Sequence, residues 1–259
     1  MNRDTALVTG ASSGIGRELA RQFARHGHDL VLVARREDDL DAVAEELESR
    51  HGIDAASIPK DLDDEAAPQE LYDEVHERDL DVGVLVNNVG IGTYGPFSES
   101  DLGREQSQLR LNVTTLVTLT RLFLDDFTAR DRGKILNVGS VAGFQPGPFM
   151  AGYYASKAYV NSFTEAIAEE LRDTGVNATV LCPGPVDTEF QERAGMQDSA
   201  VGSTYMQPVE DVAKAGYKGV MSGKTVVVPG LPMKLLTVIA RVTPRPILRR
   251  VARRVNSDR

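Results

Sequence analysis

Cysteine is all but missing from this chain of 259 residues. Cys182 stands alone, so no internal disulfide can form, and four scattered histidines supply no Cys/His spacing for a metal. Zinc sites and disulfide scaffolds are excluded, and a reducing, cytoplasmic setting is expected. Long apolar runs are missing too, the longest being a few residues where ~20 are needed to cross a bilayer. Met1-Asn2-Arg3-Asp4 passes at once into a strand-like run, so no secretory leader is expected. Nor is the body basic: net charge is -9, and residues 234–259 carry +7, which leaves -16 on residues 1–233. Such a body repels nucleic acid, and no nucleic-acid partner is expected.

What remains is an ordinary globular composition, 41% apolar and 26% charged, with a mean hydropathy of -0.24. Short β-branched runs at 6–9, 30–33, 55–58, 82–86, 134–138, 176–181 and 225–228 alternate with segments of helical period. The helical segments are 14–26, 37–50, 65–77, 99–128, 153–173 and 209–221. Nearly continuous apolar strands need helices on both faces. The pattern predicts an α/β fold: a single-domain, Rossmann-type, doubly wound parallel sheet of about seven strands. That domain is expected over 1–233, followed at 234–259 by a basic amphipathic C-terminal extension.

The first strand runs into Thr9-Gly10-Ala11-Ser12-Ser13-Gly14-Ile15-Gly16 and then directly into a helical pattern. Gly10 permits a tight turn, Gly14 lets the backbone approach a pyrophosphate, and Gly16 allows close helix packing. Ser12, Ser13 and Ile15 complete a loop whose helix N-terminus faces the anion. Arg35 stands at the end of the second strand, 19 residues beyond Gly16, with Arg36 next to it. An acidic residue there would accept from a ribose 2′-hydroxyl. Arginine offers charge-assisted bonds to a 2′-phosphate instead, so NADP is expected rather than NAD. Asp61 and Leu62, after the third strand, are expected to border the adenine.

Tyr153 and Lys157 lie four apart on one helix face. A nearby ammonium stabilises a phenolate, which draws a group of reference pKa about 10 toward useful acid-base range. Tyr154, three residues before Lys157, flanks the pair. Ser140 ends the strand at 134–138 on the same rim, where its hydroxyl can hold a carbonyl. Asn112 sits oddly inside a helical stretch, because asparagine competes with backbone bonding there. A local kink and a bound water would account for it.

These residues resemble the short-chain dehydrogenase/reductase family in its tyrosine-dependent branch, nearest in character to hydroxysteroid dehydrogenase and 3-oxoacyl reductase members. The match runs over 5–230. It rests on Thr9-Gly10-x-x-x-Gly14-x-Gly16, Asn87-Asn88-x-Gly90, Asn112, Ser140, Tyr153-x-x-x-Lys157 and Pro183-Gly184-x-Val186-x-Thr188. The resemblance implies that Tyr153 is the general acid/base, that Ser140 orients the carbonyl, and that Lys157 also binds the nicotinamide ribose. It implies that Asn112 supports a water in a proton relay and that Asn88 and Gly90 line the cofactor cleft. Pro183, Gly184, Val186 and Thr188 would contact the nicotinamide. It further implies a small-molecule carbonyl or alcohol substrate and a homodimer or homotetramer. Val89 departs from the family's usual alanine, and Ser13 lacks the basic residue some NADP-using members carry, so phosphate recognition falls to Arg35 and Arg36. A non-catalytic dinucleotide sensor or scaffold is the competing reading, but such a protein need not keep Tyr153, Lys157 and Ser140 together.

On the substrate side, Phe144, Phe149 and Met150 are expected to form one pocket wall, and Tyr94 and Phe97 are further apolar residues that follow the Asn87 to Gly90 turn. Phe190, Met196 and Met206 read as part of a cover, which favours an apolar ketone or aldehyde. In the tail, Ile247, Leu248, Val251 and Val255 oppose Arg249, Arg250, Arg253 and Arg254 beyond a break at Pro244-Arg245-Pro246. Docking on its own domain or a subunit partner is favoured over contact with an anionic membrane surface. Tyr153→Phe is expected to cut turnover by ~10²–10⁴-fold. NADPH affinity should stay close to wild type in a fluorescence titration, and near-normal turnover would remove Tyr153 from the chemistry.

Overall fold

Seven apolar runs pair in parallel because each needs cover on both faces. They are β1 (Thr5–Thr9), β2 (Leu30–Ala34), β3 (Ala55–Pro59), β4 (Val82–Asn87), β5 (Gly133–Val138), β6 (Val176–Leu181) and β7 (Val226–Val227). The computed structural model describes residues 4–196 and 206–257, and within them the sheet order is β3-β2-β1-β4-β5-β6-β7. The chain moves outward from β1 to β3, then returns to β4 on the other side of β1. Connections on either side of that reversal leave in opposite directions, which opens a crevice at the strand carboxyl ends. The expected doubly wound sheet is the fold.

One face is covered by α1 (Gly14–Arg25), α2 (Glu37–His51) and α8 (Val209–Met221). There Leu19, Phe23, Leu40 and Val212 pack on Ala6, Val8, Leu30 and Leu32. The opposite face carries α3 (Ala67–Glu77), α5 (Thr115–Ala129) and α6 (Ala151–Glu170), whose Leu71, Phe123, Phe127 and Ile167 meet Leu7, Val31, Leu85 and Ile135. Strand alternation divides the cores, since Leu7 faces away from Ala6 and Val8.

The remaining α-helices among the described residues are α4 (Leu102–Leu109), α7 (Phe190–Arg193), α9 (Leu231–Val242) and α10 (Arg245–Asn256). Asp101 caps α4, accepting from the Arg104 amide at 2.7 Å. The stretch 99–128 is not one helix: a π-helical turn, Arg110–Thr114, separates α4 from α5. β3 is an edge strand of the sheet, where Pro59 costs no ladder bond. α9 runs across position 233, the expected end of the catalytic domain. Among the described residues, no helix is long and apolar enough to cross a membrane.

Buried polar groups cross-brace the second face. Asn87 Nδ2 donates to Asn137 Oδ1 at 2.9 Å and to Thr120 Oγ1 at 3.0 Å, while Asn137 Nδ2 donates to Thr164 Oγ1 at 3.0 Å. β4 and β5 are thereby tied to α5 and α6, which carry the rim residues described below. Phe127 is fully buried beneath Gly133, where a Cβ would lie 2.2 Å from its ring. Phe127→Ala is expected to lower the unfolding free energy by about 3–5 kcal/mol. Phe97, which is 65% exposed, should change it by about 0.5 kcal/mol or less as alanine. Urea denaturation of both variants measures the contrast.

Candidate active site

Two strand ends are lashed together before any functional side chain is placed. The buried Thr9 hydroxyl donates to Val86 O at 3.2 Å and accepts from the Asn88 and Val89 amides at 2.9 and 3.1 Å. Asn88 Nδ2 returns the contact, donating to Thr9 O at 2.9 Å and Gly10 O at 3.3 Å. Side chains are excluded from this junction: a Cβ at Gly10 would sit 2.8 Å from Asn88 Nδ2, and one at Gly16 would sit 2.2 Å from Gly10 O. Gly10 also has φ +67, a left-handed conformation that favours glycine. Ser13 precedes α1 in extended conformation and makes no side-chain cap bond. Among the described residues no side-chain cap occupies the first-turn amides, which are thus available to an anion.

A cavity of about 640 Å³ opens along this rim. Its lining brings together Gly10, Ser12, Ser13, Gly14 and Ile15 from the loop, Arg35 and Arg36 after β2, and Asp61 and Leu62 after β3. Asn88 and Gly90 follow β4, Ser140 follows β5, Tyr153 and Lys157 come from α6, and Pro183, Gly184, Val186 and Thr188 follow β6. Gly16 and Asn112 lie behind the lining. The two arginines differ: Arg36 forms an ion pair with Asp39, whereas no ion pair to Arg35 occurs among the described residues. Leu62 is anchored by Thr115 Oγ1, which donates to its carbonyl at 3.0 Å, and Asp61 Oδ1 accepts from the Asp63 amide at 3.1 Å.

At the other end of the cavity, Lys157 Nζ donates to Val138 O at 2.7 Å and lies 5.9 Å from the centre of the Tyr153 ring. Burial pushes the lysine down to about 8. Burial pushes the Tyr153 phenol up to about 12, with hydrogen bonding to Ser140 opposing it. The i, i+4 spacing led us to expect Lys157 to draw the phenol down. Spacing sets a shared face but not a contact; the ammonium is engaged by a main-chain carbonyl, so desolvation dominates the phenol.

Ser140 is held as firmly. Its Oγ accepts from the Ala142 amide at 3.1 Å and donates to Pro183 O at 3.4 Å, and its carbonyl accepts from Asn161 Nδ2 at 3.0 Å. Sequence reasoning missed Asn161, although it continues the Tyr153–Lys157 stripe by four more residues. Asn112 lies within the π turn, where its side chain replaces a backbone partner. Nδ2 donates to Ile91 O at 2.9 Å and Ser156 Oγ at 3.0 Å, and Oδ1 accepts from the Ile91 amide at 2.9 Å. Ser156 Oγ then donates to Tyr153 O at 2.7 Å, linking Asn112 to the main chain of the tyrosine.

The apolar wall differs from expectation. Met150, Phe190 and Met196 line the cavity, with the Phe190 ring 5.3 Å from that of Tyr153. Phe97 is on the surface, Phe144 lies under the Arg241 guanidinium at 5.2 Å, and Phe149 takes φ +67 while its carbonyl accepts from Gly95. None of these three lines the cavity, because the turns that carry them aim their rings elsewhere. The part of the expected cover at 197–205 falls outside the described residues.

One residue beyond all sequence expectation is Asn256, fully buried at the end of α10. Its carbonyl accepts from Tyr94 OH at 2.6 Å, its Oδ1 from Tyr154 OH at 3.2 Å, and its Nδ2 donates to Pro148 O at 2.9 Å. No periodic signal marks it; only the fold brings it to Tyr154, 102 residues away in the chain. Gln207 likewise secures the segment after β6, accepting from the Gly184 amide at 3.1 Å and donating to Pro229 O at 2.8 Å.

Comparison with known proteins places this architecture in context. The family model described as short chain dehydrogenase matches residues 4–199. Rat 17-beta-hydroxysteroid dehydrogenase type 3 is 37% identical over 187 residues, which is 71% of this chain and 60% of the rat protein. Sulfoacetaldehyde reductase 2 of Chromohalobacter salexigens is 38% identical over 218 residues, covering 82% of this chain and 86% of that one. A short-chain dehydrogenase from Sphingobium yanoikuyae, solved in complex with NADPH, superposes with a TM-score of 0.83 at 34% identity, covering 88% of each chain.

Burial of Lys157 has a pH signature. The unfolded chain holds the lysine proton up to 10.5 and the fold only up to about 8. Between those values the unfolded state binds more protons, so stability rises with pH; below the window both states are charged and the burial cost is fully felt. Tyr153, raised above 10.0, acts in the opposite sense only above that pH. The stability of the wild type relative to Lys157→Met is expected to rise by about 2 kcal/mol between pH 8 and 10. Urea denaturation across that range tests it, and a flat difference would mean that the ammonium is not desolvated.

Proposed function

The chain belongs to the short-chain dehydrogenase family, and from that premise we propose that it is an NADP(H)-dependent oxidoreductase acting on an apolar ketone or aldehyde, or on the corresponding alcohol. The observation that carries this reading is the meeting of Ser140, Tyr153 and Lys157 at one end of a single cavity whose other end holds the glycine loop and Arg35. A dinucleotide fits what is present. Gly10 and Gly16 let the loop pack tightly against Asn88 where a Cβ would clash, which sets the first-turn amides of α1 toward a pyrophosphate, and Arg35 suits a 2′-phosphate. Ser12, Ser13, Gly14 and Ile15 would hold the pyrophosphate, with Asp61 and Leu62 at the adenine. Asn88, Gly90, Pro183, Gly184, Val186 and Thr188 would hold the nicotinamide half.

When bound, the dinucleotide supplies or accepts a hydride. The protein's own residues manage the proton. The Tyr153 phenol is protonated at neutral pH, the form that reduction requires, and its hydroxyl donates to the carbonyl oxygen as charge builds there. The Ser140 hydroxyl, turning its one hydrogen from the long 3.4 Å bond to Pro183 O, donates a second hydrogen bond to that oxygen and fixes its direction. Lys157 positions the nicotinamide ribose and opposes the negative charge left on Tyr153 after proton release. Asn112 supports the inner end of the proton relay, a role that suits the widened helix around it. The sensor or scaffold alternative gains nothing from so costly a set of buried polar groups.

The rat steroid dehydrogenase and the bacterial NADPH-bound dehydrogenase support an apolar carbonyl and a phosphorylated dinucleotide, respectively. This chain spans 60% of the length of the rat protein, and substrate identity here rests on Met150, Phe190 and Met196 in the cavity wall. A catalytic body over 1–233, a cytoplasmic setting and a homodimer or homotetramer complete the proposal. The test is loss of NADPH absorbance against a panel of apolar ketones and aldehydes, repeated with NADH. Arg35→Ala is expected to lower kcat/KM with NADPH about 10–100-fold and with NADH only a few-fold, as loss of charge-assisted phosphate bonds requires. No turnover with either nucleotide would overturn the enzymatic reading; equal losses with both would remove Arg35 from phosphate recognition.

A further inference from the structure

Thirteen large apolar side chains are strongly exposed among the described residues, and nine of them lie on α9 and α10. α10 does dock on the body, burying Leu248, Ala252 and Asn256. A second stripe on the same helix, Ile247, Val251 and Val255 at intervals of four, remains open, as do six side chains of α9 that include Leu235, Ile239 and Val242. Docking on its own domain therefore accounts for only one side of the tail.

Charge identifies what suits the other side. Residues 231–257 hold seven basic side chains and no acid, and Arg250 and Arg254 border the open stripe of α10 on helical spacing. A second copy placed symmetrically on this face would bring Arg250 and Arg254, which border the open stripe, against the same positive charges of its partner. Each helix has 12 residues, too short to span a bilayer. Apolar stripes edged by arginine on short helices match the interfacial plane of an anionic membrane. The charge asymmetry of the molecule, -16 on 1–233 and +7 on 234–259, would turn the tail toward such a surface and the body away from it.

We propose that α9 and α10 together form a docking surface for an anionic lipid bilayer, lying in its headgroup region. The inner sides of the same helices rest on the loops beside the cavity: Asn256 holds Tyr94, Pro148 and Tyr154, and Arg241 covers Phe144. Docking thus sets the cavity next to the lipid, where an apolar carbonyl compound partitions. Membrane binding itself does not depend on the chemistry proposed above.

Vesicle sedimentation of the full chain decides the matter, with phosphatidylcholine alone and with about a third phosphatidylserine. The wild type is expected to pellet with the anionic vesicles and far less with the neutral ones. Arg250→Gln with Arg254→Gln should weaken anionic binding roughly tenfold. Leu235→Glu with Ile239→Glu should release the protein while its melting temperature stays unchanged. Wild type left in the supernatant with anionic vesicles overturns the proposal, as does undiminished pelleting of the Leu235→Glu, Ile239→Glu variant. A dimer that this variant splits in light scattering, together with no pelleting of the wild type, assigns the face to a second copy instead.

Discussion

The hydrogen bonds between the end of β1 and the end of β4 are the constraint on which the molecule turns. These strands are neighbours in the sheet, but the chain visits β2 and β3 between them. At such a reversal nothing in the local chain holds the two loops at a set distance. Thr9 and Asn88 do so, each bonding the other's main chain, with Gly10 and Gly16 lacking the side chains that would push them apart. The crevice, the direction of α1 and the approach to its first-turn amides follow from that junction.

Desolvation governs the opposite end of the crevice. Tyr153 and Lys157 both lie where water is scarce, and each is driven toward its neutral form, the phenol upward and the ammonium downward. Holding them there requires a frame of polar groups with their own bonds made. Val138 O takes the lysine, Asn161 takes Ser140, and Asn112 reaches Tyr153 through Ser156. The π turn around Asn112 belongs to the same frame, since it lets a side chain occupy both polar groups of Ile91.

Legibility in the sequence followed the range of the interaction. The glycine loop, the Tyr153–Lys157 pair and the strand runs are local patterns, and each was read from residues within a few positions of one another. Phe144 and Phe149 are read as a pocket wall from composition, with Phe97 as a further apolar residue of the substrate side, yet the orientation of all three is set by turns whose outcome composition does not encode. Asn161 was within reach of the periodic argument that found Lys157. Asn256 was not, because a polar residue at the end of a basic helix carries no mark of the loops it joins.

Periodicity, glycine spacing and the charges after β2 were enough to define a doubly wound sheet with a dinucleotide-type loop, because those signals act through backbone sterics and nearest neighbours. Tertiary structure alone decided that Lys157 bonds a carbonyl rather than the phenol. It also decided that Arg36 is paired with Asp39 while Arg35 has no such ion pair among the described residues, and that the tail leaves an apolar side uncovered. Those outcomes depend on which groups from distant parts of the chain compete for one donor or one surface, and that competition exists only after the chain has folded.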